Sequence, residues 1–308
     1  MAPATPPPIA GAVPAASSLS LQGEAETLPM RTHGLLDLLF DVPGSQQKTR
    51  MSVRAQRPPL KVVRAFPQVD GAALVHLHNV SGGVLAGDVL DVAVRLDPGA
   101  RAQLTTTGAT RLYRRRPGCA AVMRTSAFVG PGALLEYLPD PIIPFRDANV
   151  RQSTHIDLAD DAGLFWWEIV APGREAMGES FVYDLLEMDL RIEVHAIPIA
   201  MEHMKLCPRA HALNTPARMG PFGYYATFYA CRVGSDAAAL EVALADRAQQ
   251  LTRPGAVLWG ASALAAHGVV VRGLAHTGRA LQSGLIEFWT VARRLLYGSA
   301  AIMPRKIY

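Results

Sequence analysis

The chain has 308 residues, half of them apolar and only 18% charged, with a formal net charge of +4. An ordinary soluble domain carries about 25% charged residues, so a large core is available. No stretch reaches the roughly 20 consecutive apolar residues that span a bilayer. The one dense basic cluster, Arg111-Leu-Tyr-Arg-Arg-Arg116, lacks the wide basic face and stacking aromatics of a nucleic-acid reader. It suits an acidic protein surface instead.

Residues 1–28 are rich in Pro and Ala and poor in large apolar groups, which predicts a disordered arm. A single domain is expected over residues 29–308. Leu35–Phe40 and Thr49–Arg54 read as strands around a Pro43-Gly44 turn. In the next stretch, His76 and His78 share one face of a strand by period two and precede Ser81-Gly82-Gly83-Val-Leu-Ala-Gly87-Asp88. Glycines there let the backbone turn where a Cβ would be strained. Leu90, Val92, Val94 and Leu96 then alternate with Asp91, Ala93, Arg95 and Asp97, the period of a half-buried strand.

Asp97-Pro-Gly-Ala100 and Gly130-Pro-Gly-Ala133 place Pro before Gly, as a type II turn prefers, and lie 33 residues apart. Asp160-Asp-Ala-Gly163 follows about one period later. The recurrence predicts a mainly β, stacked-strand, solenoid-like scaffold. A second alternating stretch, Leu186 to His195, sets an apolar face against a charged stripe. Residues 198–222 read as a long irregular connection.

About two α-helices are expected in the C-terminal part. Ser235-Asp236 can cap one that runs to about Leu251 and stops before Pro254. In Gly278–Tyr297, Leu281, Leu285, Phe288, Trp289, Ala292 and Leu296 fall on one side at helical spacing. Two strands are expected between the helices, within Val257–Leu274.

Cys119, Cys207 and Cys231 are odd in number and widely spaced, which predicts reduced thiols. Together with the lack of a signal-peptide pattern, this points to the cytoplasm. His203, Cys207 and His211 recur every four residues, and their soft and imidazole donors would suit nickel, copper or zinc. Pro208 argues against the continuous helix that would align them, so these residues, like His76 and His78, are weak metal candidates. Glu136, Glu168 and Glu179 stand in apolar company, where a carboxylate needs a partner or water. No phosphate loop, His-Glu-x-x-His or Gly-x-Ser-x-Gly motif is present.

Ser81–Asp88 and Thr107-Gly108-Ala-Thr-Arg-Leu-Tyr113 carry the strongest resemblance in the chain. They are followed by Leu135-Glu-Tyr-Leu-Pro139, Pro144-Phe145, Trp167-Glu-Ile, Gly173-Arg174, Gly178-Glu-Ser-Phe181, Gly260-Ala-Ser262 and Pro304-Arg305. In this order they resemble the urease accessory protein family UreD, called UreH in some bacteria, over about residues 33–308. Gly82, Gly83, Gly87, Gly108 and Tyr113 are the signature positions of the glycine-bent loop. The resemblance implies a non-catalytic scaffold that binds UreF and, through it, the GTPase UreG, and docks on urease apoprotein. It also implies that nickel is a transient cargo moving through an internal passage, with no cofactor held permanently and no membrane or nucleic-acid partner. A passage should be lined by weak oxygen ligands, because a tight site would trap the ion. Asp88, Glu136, Glu168 and Glu179 are the candidates for it. The competing readings are a β-solenoid enzyme acting on a polysaccharide and a nickel-storing or nickel-sensing protein.

Overall fold

The computed structural model describes residues 32–44, 48–114 and 119–304. The expected disordered arm, the basic cluster beyond Arg114 and the last four residues lie outside them. In chain order the strands are β1 (His33–Asp41), β2 (Arg50–Arg57), β3 (Leu60–Lys61), β4 (Ala65–Pro67), β5 (Ala73–Asn79) and β6 (Val89–Leu96). Next come β7 (Arg101–Thr106), β8 (Thr110–Leu112), β9 (Ala121–Val129), β10 (Leu134–Tyr137), β11 (Ile142–Pro144) and β12 (Asn149–Leu158). After these are β13 (Gly163–Val170), β14 (Leu185–Val194), β15 (Ile197–Leu206) and β16 (Tyr224–Arg232). The chain then forms α1 (Ala237–Leu251), β17 (Val257–Ala263), β18 (Gly268–Ala275) and α2 (Gly278–Tyr297).

The strands make a seven-stranded sheet, ordered β15-β14-β12-β9-β6-β1-β2, and an eleven-stranded sheet with the path β17-β18-β16-β13-β10-β7-β5-β3. Between β6 and β14 the chain passes back and forth between the two. The seven-stranded sheet is parallel from β1 through β6, β9 and β12 to β14. In the other sheet, β5, β7, β10 and β13 are also parallel. This is the expected solenoid-like stack.

Its coils are stapled at the recurring turns. The Gly130 N–H donates to the Leu96 carbonyl at 2.9 Å, the Gly99 N–H to Pro131 at 2.9 Å, and the Gly132 N–H to Asp160 at 2.9 Å. A Cβ on Gly130 would lie 2.6 Å from the Leu96 carbonyl oxygen, so only glycine allows that approach. The 33-residue spacing is therefore the length of one coil.

Two cores result. Between the sheets, Leu36, Leu38, Phe40, Leu96, Leu135, Ile156, Leu164 and Ile192 are almost fully buried. On the opposite face of the eleven-stranded sheet, α1 and α2 cover Phe165, Trp167 and Phe228 with Leu244, Leu285, Phe288 and Trp289. The helix ends are those expected. The Asp236 carboxylate accepts from the Ala238 N–H at 2.8 Å, and the Thr277 hydroxyl accepts from Ala280 at 3.3 Å. Gly298 ends α2 in the left-handed region at φ 62°. Each aromatic ring buried in this layer contributes about 1.5–3 kcal/mol of apolar transfer free energy.

One expectation needs correction. Residues 198–222 are irregular only in their second half, because β15 occupies Ile197–Leu206 and pairs antiparallel with β14. Pro198 is tolerated because β15 is an edge strand and the pairing register shifts between Ile192 and Glu193, opposite it.

Candidate functional site: the signature end and the cavities between the sheets

Five of the sequence motifs meet around the loop that follows β5. Asn79 shapes the loop that follows β5. Its amide nitrogen donates to the Gly83 carbonyl at 2.9 Å, and its carbonyl oxygen accepts from the Ser81 N–H at 3.0 Å and the Ser81 hydroxyl at 2.6 Å. Gly82 and Gly87 adopt φ of 80° and 83°. Gly83 is required for contact rather than for torsion. A Cβ there would lie 2.5 Å from the Tyr113 ring and 2.6 Å from the Arg111 carbonyl oxygen.

Tyr113 in turn meets Phe145 edge to face at 5.0 Å, and the Arg174 guanidinium lies 4.3 Å over the Phe145 ring. Arg174 grips Glu179 through Nε at 2.8 Å and Nη2 at 2.5 Å, and the Arg146 N–H adds a bond at 3.2 Å. Hydrogen bonds from Arg174 hold the Glu179 carboxyl below the usual carboxylate range, against the opposing cost of its burial. Five separate motifs are thereby joined in one chain of contacts.

Asp88 closes this loop from beneath. It is 3% exposed, and its Oδ2 accepts from the Leu85 N–H at 2.9 Å. Burial raises its pKa, while hydrogen bonds from Leu85 and the Thr32 hydroxyl oppose the rise. His76 is buried edge-on to Phe66 at 5.7 Å. Burial lowers the pKa of His78, with smaller contributions from His76 and Lys61, so it favours the neutral imidazole.

A row of cavities runs between the sheets from this loop. The first, about 290 Å3, is walled by Gly82, Gly83, Gly108, Thr110 and Tyr137. It shares Thr110, Met123, Thr125 and Tyr137 with a small space of about 30 Å3 that also touches Asp140, Gln152 and Glu168. Glu168 is common to that space and to the next, about 20 Å3, where Glu202, Thr227 and Tyr229 face it. Glu202, Met204 and Tyr225 carry the row into a wide outer cavity of about 690 Å3, whose wall includes His203, Cys207, His211 and Arg272.

Glu168 is the central group of this row. It keeps some accessible surface, where it opens to the two small spaces, but its carboxyl is enclosed by protein. Burial lifts the pKa to about 7, the hydrogen bond from Gln152 opposes the rise, and the charge of Glu202 adds to it. Glu202 accepts from the Tyr225 hydroxyl at 2.9 Å, from the Tyr229 hydroxyl and from Arg272 at 3.3 Å. Burial, then Glu202, pushes both phenols upward, so they remain protonated donors.

Of the four candidate carboxylates, Glu168 lines these cavities. Glu136 points to the other face of its sheet, towards α2, where Arg293 donates at 2.6 Å, Trp289 Nε1 at 2.9 Å and Gln103 at 3.1 Å. Asp88 and Glu179 belong to the signature end. Glu202, Gln152 and Asp140 were missed in the sequence. The first two face inward from β12 and β15, each between exposed chain neighbours, Arg151 and Ser153 for Gln152 and Met201 and His203 for Glu202.

His203, Cys207 and His211 do converge on the outer cavity. They do not form a preassembled cage, since His203 Nδ1 is held by Asp189 Oδ1 at 2.6 Å. Among the described residues, the one His/Cys/Asp/Glu group whose ligand atoms all lie within 4.8 Å of one another is His155, Asp157 and Glu193. No helix among the described residues is long and apolar enough to cross a membrane.

Comparison with known proteins places these features in a family. The family model described as "UreD urease accessory protein" matches residues 32–307. A urease accessory protein UreD of Herpetosiphon aurantiacus is 48% identical over 281 residues, covering 90% of this chain and 97% of that relative. The UreD of Deinococcus radiodurans is 32% identical over 286 residues, 92% of this chain and 99% of its own length. That of Cenarchaeum symbiosum is 32% identical over 251 residues, 80% of this chain and 87% of the relative. With the signature loop, the coil-length turns and the family match extending over the same residues, the chain belongs to the UreD family of urease accessory proteins.

Proposed function

We propose that this chain serves urease maturation as an adaptor in the cytoplasm. It binds UreF and, through it, the GTPase UreG, docks on urease apoprotein, and lets nickel pass between its two sheets. The observation that carries the reading is the row of cavities sharing walls from Gly82 and Gly83 to the outer space beside Arg272. Its narrow inner part carries the oxygen donors Thr110, Asp140, Gln152, Glu168 and Glu202. These are hard oxygen donors contributed singly, which exchange a hydrated divalent ion instead of caging it.

Glu168 is suited to such transit. Near neutral pH its carboxyl sits close to its midpoint, so a proton can leave as a cation arrives and return when the cation moves on. The two small spaces on either side are narrower than the outer cavities, and side-chain movement around Glu168 would set the rate. The storage reading is less favoured, because the thiol and imidazoles of the outer cavity do not close on a single point.

The test is co-expression of the chain with UreF, UreG and urease subunits. Glu168→Ala and Glu202→Ala are expected to keep partner binding in pull-downs while lowering the nickel content of urease. Full nickel content and full activation with both variants would defeat the passage.

A further inference from the structure

On the outer face of the seven-stranded sheet, three histidines already lean on carboxylates; the cavity beside His155 shares Glu202 and His203 with the outer cavity of the row. His33 Nε2 is 2.6 Å from Asp91, His203 Nδ1 is 2.6 Å from Asp189, and His155 Nε2 is 2.7 Å from Glu193. The third pair has a second acid on the same ring nitrogen, Asp157 Oδ1 at 3.5 Å from His155 Nε2, whereas the second acid near His203, Glu187 at 3.9 Å, meets its other nitrogen. We propose that His155, Asp157 and Glu193 form a surface site for a first-row divalent cation, none of whose three ligands lines the interior passage.

The placement follows from register. His155 and Asp157 are two apart on β12, so both project outward while Thr154, Ile156 and Leu158 are buried. On the parallel neighbour β14, Arg191 stands opposite His155 and Glu193 opposite Asp157. The result is a three-donor corner drawn from two adjacent strands whose relative position the ladder fixes. Metal-ligand bonds to imidazole nitrogen and carboxylate oxygen are about 2.1 Å, so neighbouring ligands at a right angle lie about 3.0 Å apart. The 2.7 Å and 3.5 Å separations from His155 Nε2 bracket that value. An ion can therefore replace the hydrogen bonds with little rearrangement.

Arg191 supports the corner without blocking it. Its Nε donates to Glu193 Oε1 at 2.5 Å, which leaves Oε2 turned to His155. Such an outer partner orients a ligand, and here it also tempers the charge. Two carboxylates and one guanidinium leave one net negative charge for the ion to meet. Glu193 is only 5% exposed, and its Oε2 lies 2.7 Å from His155 Nε2, so its position is already fixed at the corner. One imidazole with two carboxylates is an intermediate donor set that accepts Ni2+, Co2+ or Zn2+. Three donors on one side leave the remaining positions to water, which makes the ion exchangeable.

The experiment titrates the full chain, without an affinity tag, with Ni2+ by calorimetry and with Co2+ by visible absorption. His155→Ala and Asp157→Asn change exposed or half-exposed groups and leave the core untouched. Each is expected to remove one equivalent of Ni2+ relative to the unaltered chain, or weaken it by more than the about 10–100-fold typical of losing a supporting partner. Glu168→Gln is expected to retain that equivalent, which separates this site from the passage. Absence of Ni2+ binding to the unaltered chain, unchanged binding by both surface variants, or loss of the equivalent with Glu168→Gln would each overturn the proposal.

Discussion

Glu136 and Glu168 lie on neighbouring parallel strands of one sheet, yet on opposite faces, and they solve the problem of a buried carboxylate in opposite ways. Glu136 faces α2, where Arg293, itself 1% exposed, neutralises it and Trp289 and Gln103 complete its hydrogen bonds. Arg293 also reaches Asp70, and Gln103 donates to the Ile302 carbonyl at 3.0 Å, so the network ties helix, sheet and C-terminal segment together. Glu168 faces the other sheet with a neutral amide as its donor and a second acid nearby. A charge that is fully paired holds structure. A charge left short of partners, beside open space, remains available to a passing cation or proton.

The largest effect should come from breaking the paired side. Arg293→Ala leaves Glu136 buried and uncompensated and should cost about 3–5 kcal/mol of stability, read as a shift in the urea midpoint. A loss below about 1 kcal/mol, the value of an exposed pair, would show that the network is not structural. Trp289→Phe removes one donor to a charged oxygen, worth about 1.5–3 kcal/mol, and leaves part of a fully buried indole's space unfilled, so it should cost at least that much in the same measurement.

The unpaired side should respond differently. Because the folded pKa of Glu168 is raised to about 7 from an ordinary 4.5, folding takes up a proton between those values. Stability from this group therefore falls as pH rises from about 4.5 to 7 and is flat beyond. Glu168→Gln should remove that part of the pH slope and be as stable as the parent, or more so, at pH 8. A Gln variant that is strongly destabilised at pH 8 would mean that the carboxylate has a partner after all. The smallest change is expected for Arg151→Ala, whose exposed bond to Glu187 at 2.9 Å should be worth less than about 1 kcal/mol.

Much of this architecture was legible in the sequence, and for physical reasons. The Pro-Gly turns at 97–100 and 130–133 and the Gly163 turn mark coil length, because each coil must bend where the previous one did. The first helix was readable from its Ser235-Asp236 cap and the second from the apolar stripe of α2. β15 was harder to see. Pro198 and the alternation of polar Glu202 and His203 obscure a strand whose pairing depends on the hairpin with β14.

The buried carboxylates could be suspected from apolar neighbours, but their fates could not be separated. What distinguishes Glu136 is Arg293, 157 positions away on a helix that reads as merely amphipathic. What distinguishes Glu168 is Glu202, which belongs to the strand that was not foreseen. Spacing along the chain grouped His203, Cys207 and His211, which share one cavity wall, but gave no hint of His155 with Glu193, whose meeting depends on the register of two parallel strands.

The ends of the parallel stack have a consequence for behaviour in concentrated solution. Open-ended parallel stacks can grow into fibrils, since each exposed rim is a template for another chain. Here both rims of the seven-stranded sheet are closed off by antiparallel strands of unfavourable chemistry. β2 offers Arg50, Arg54 and Arg57 to solvent, and β15 brings Pro198 and Lys205. Like charges and a residue without an N–H discourage rim-to-rim addition, so replacing the three arginines of β2 with threonine or valine should raise light scattering on concentration well before it changes the unfolding midpoint.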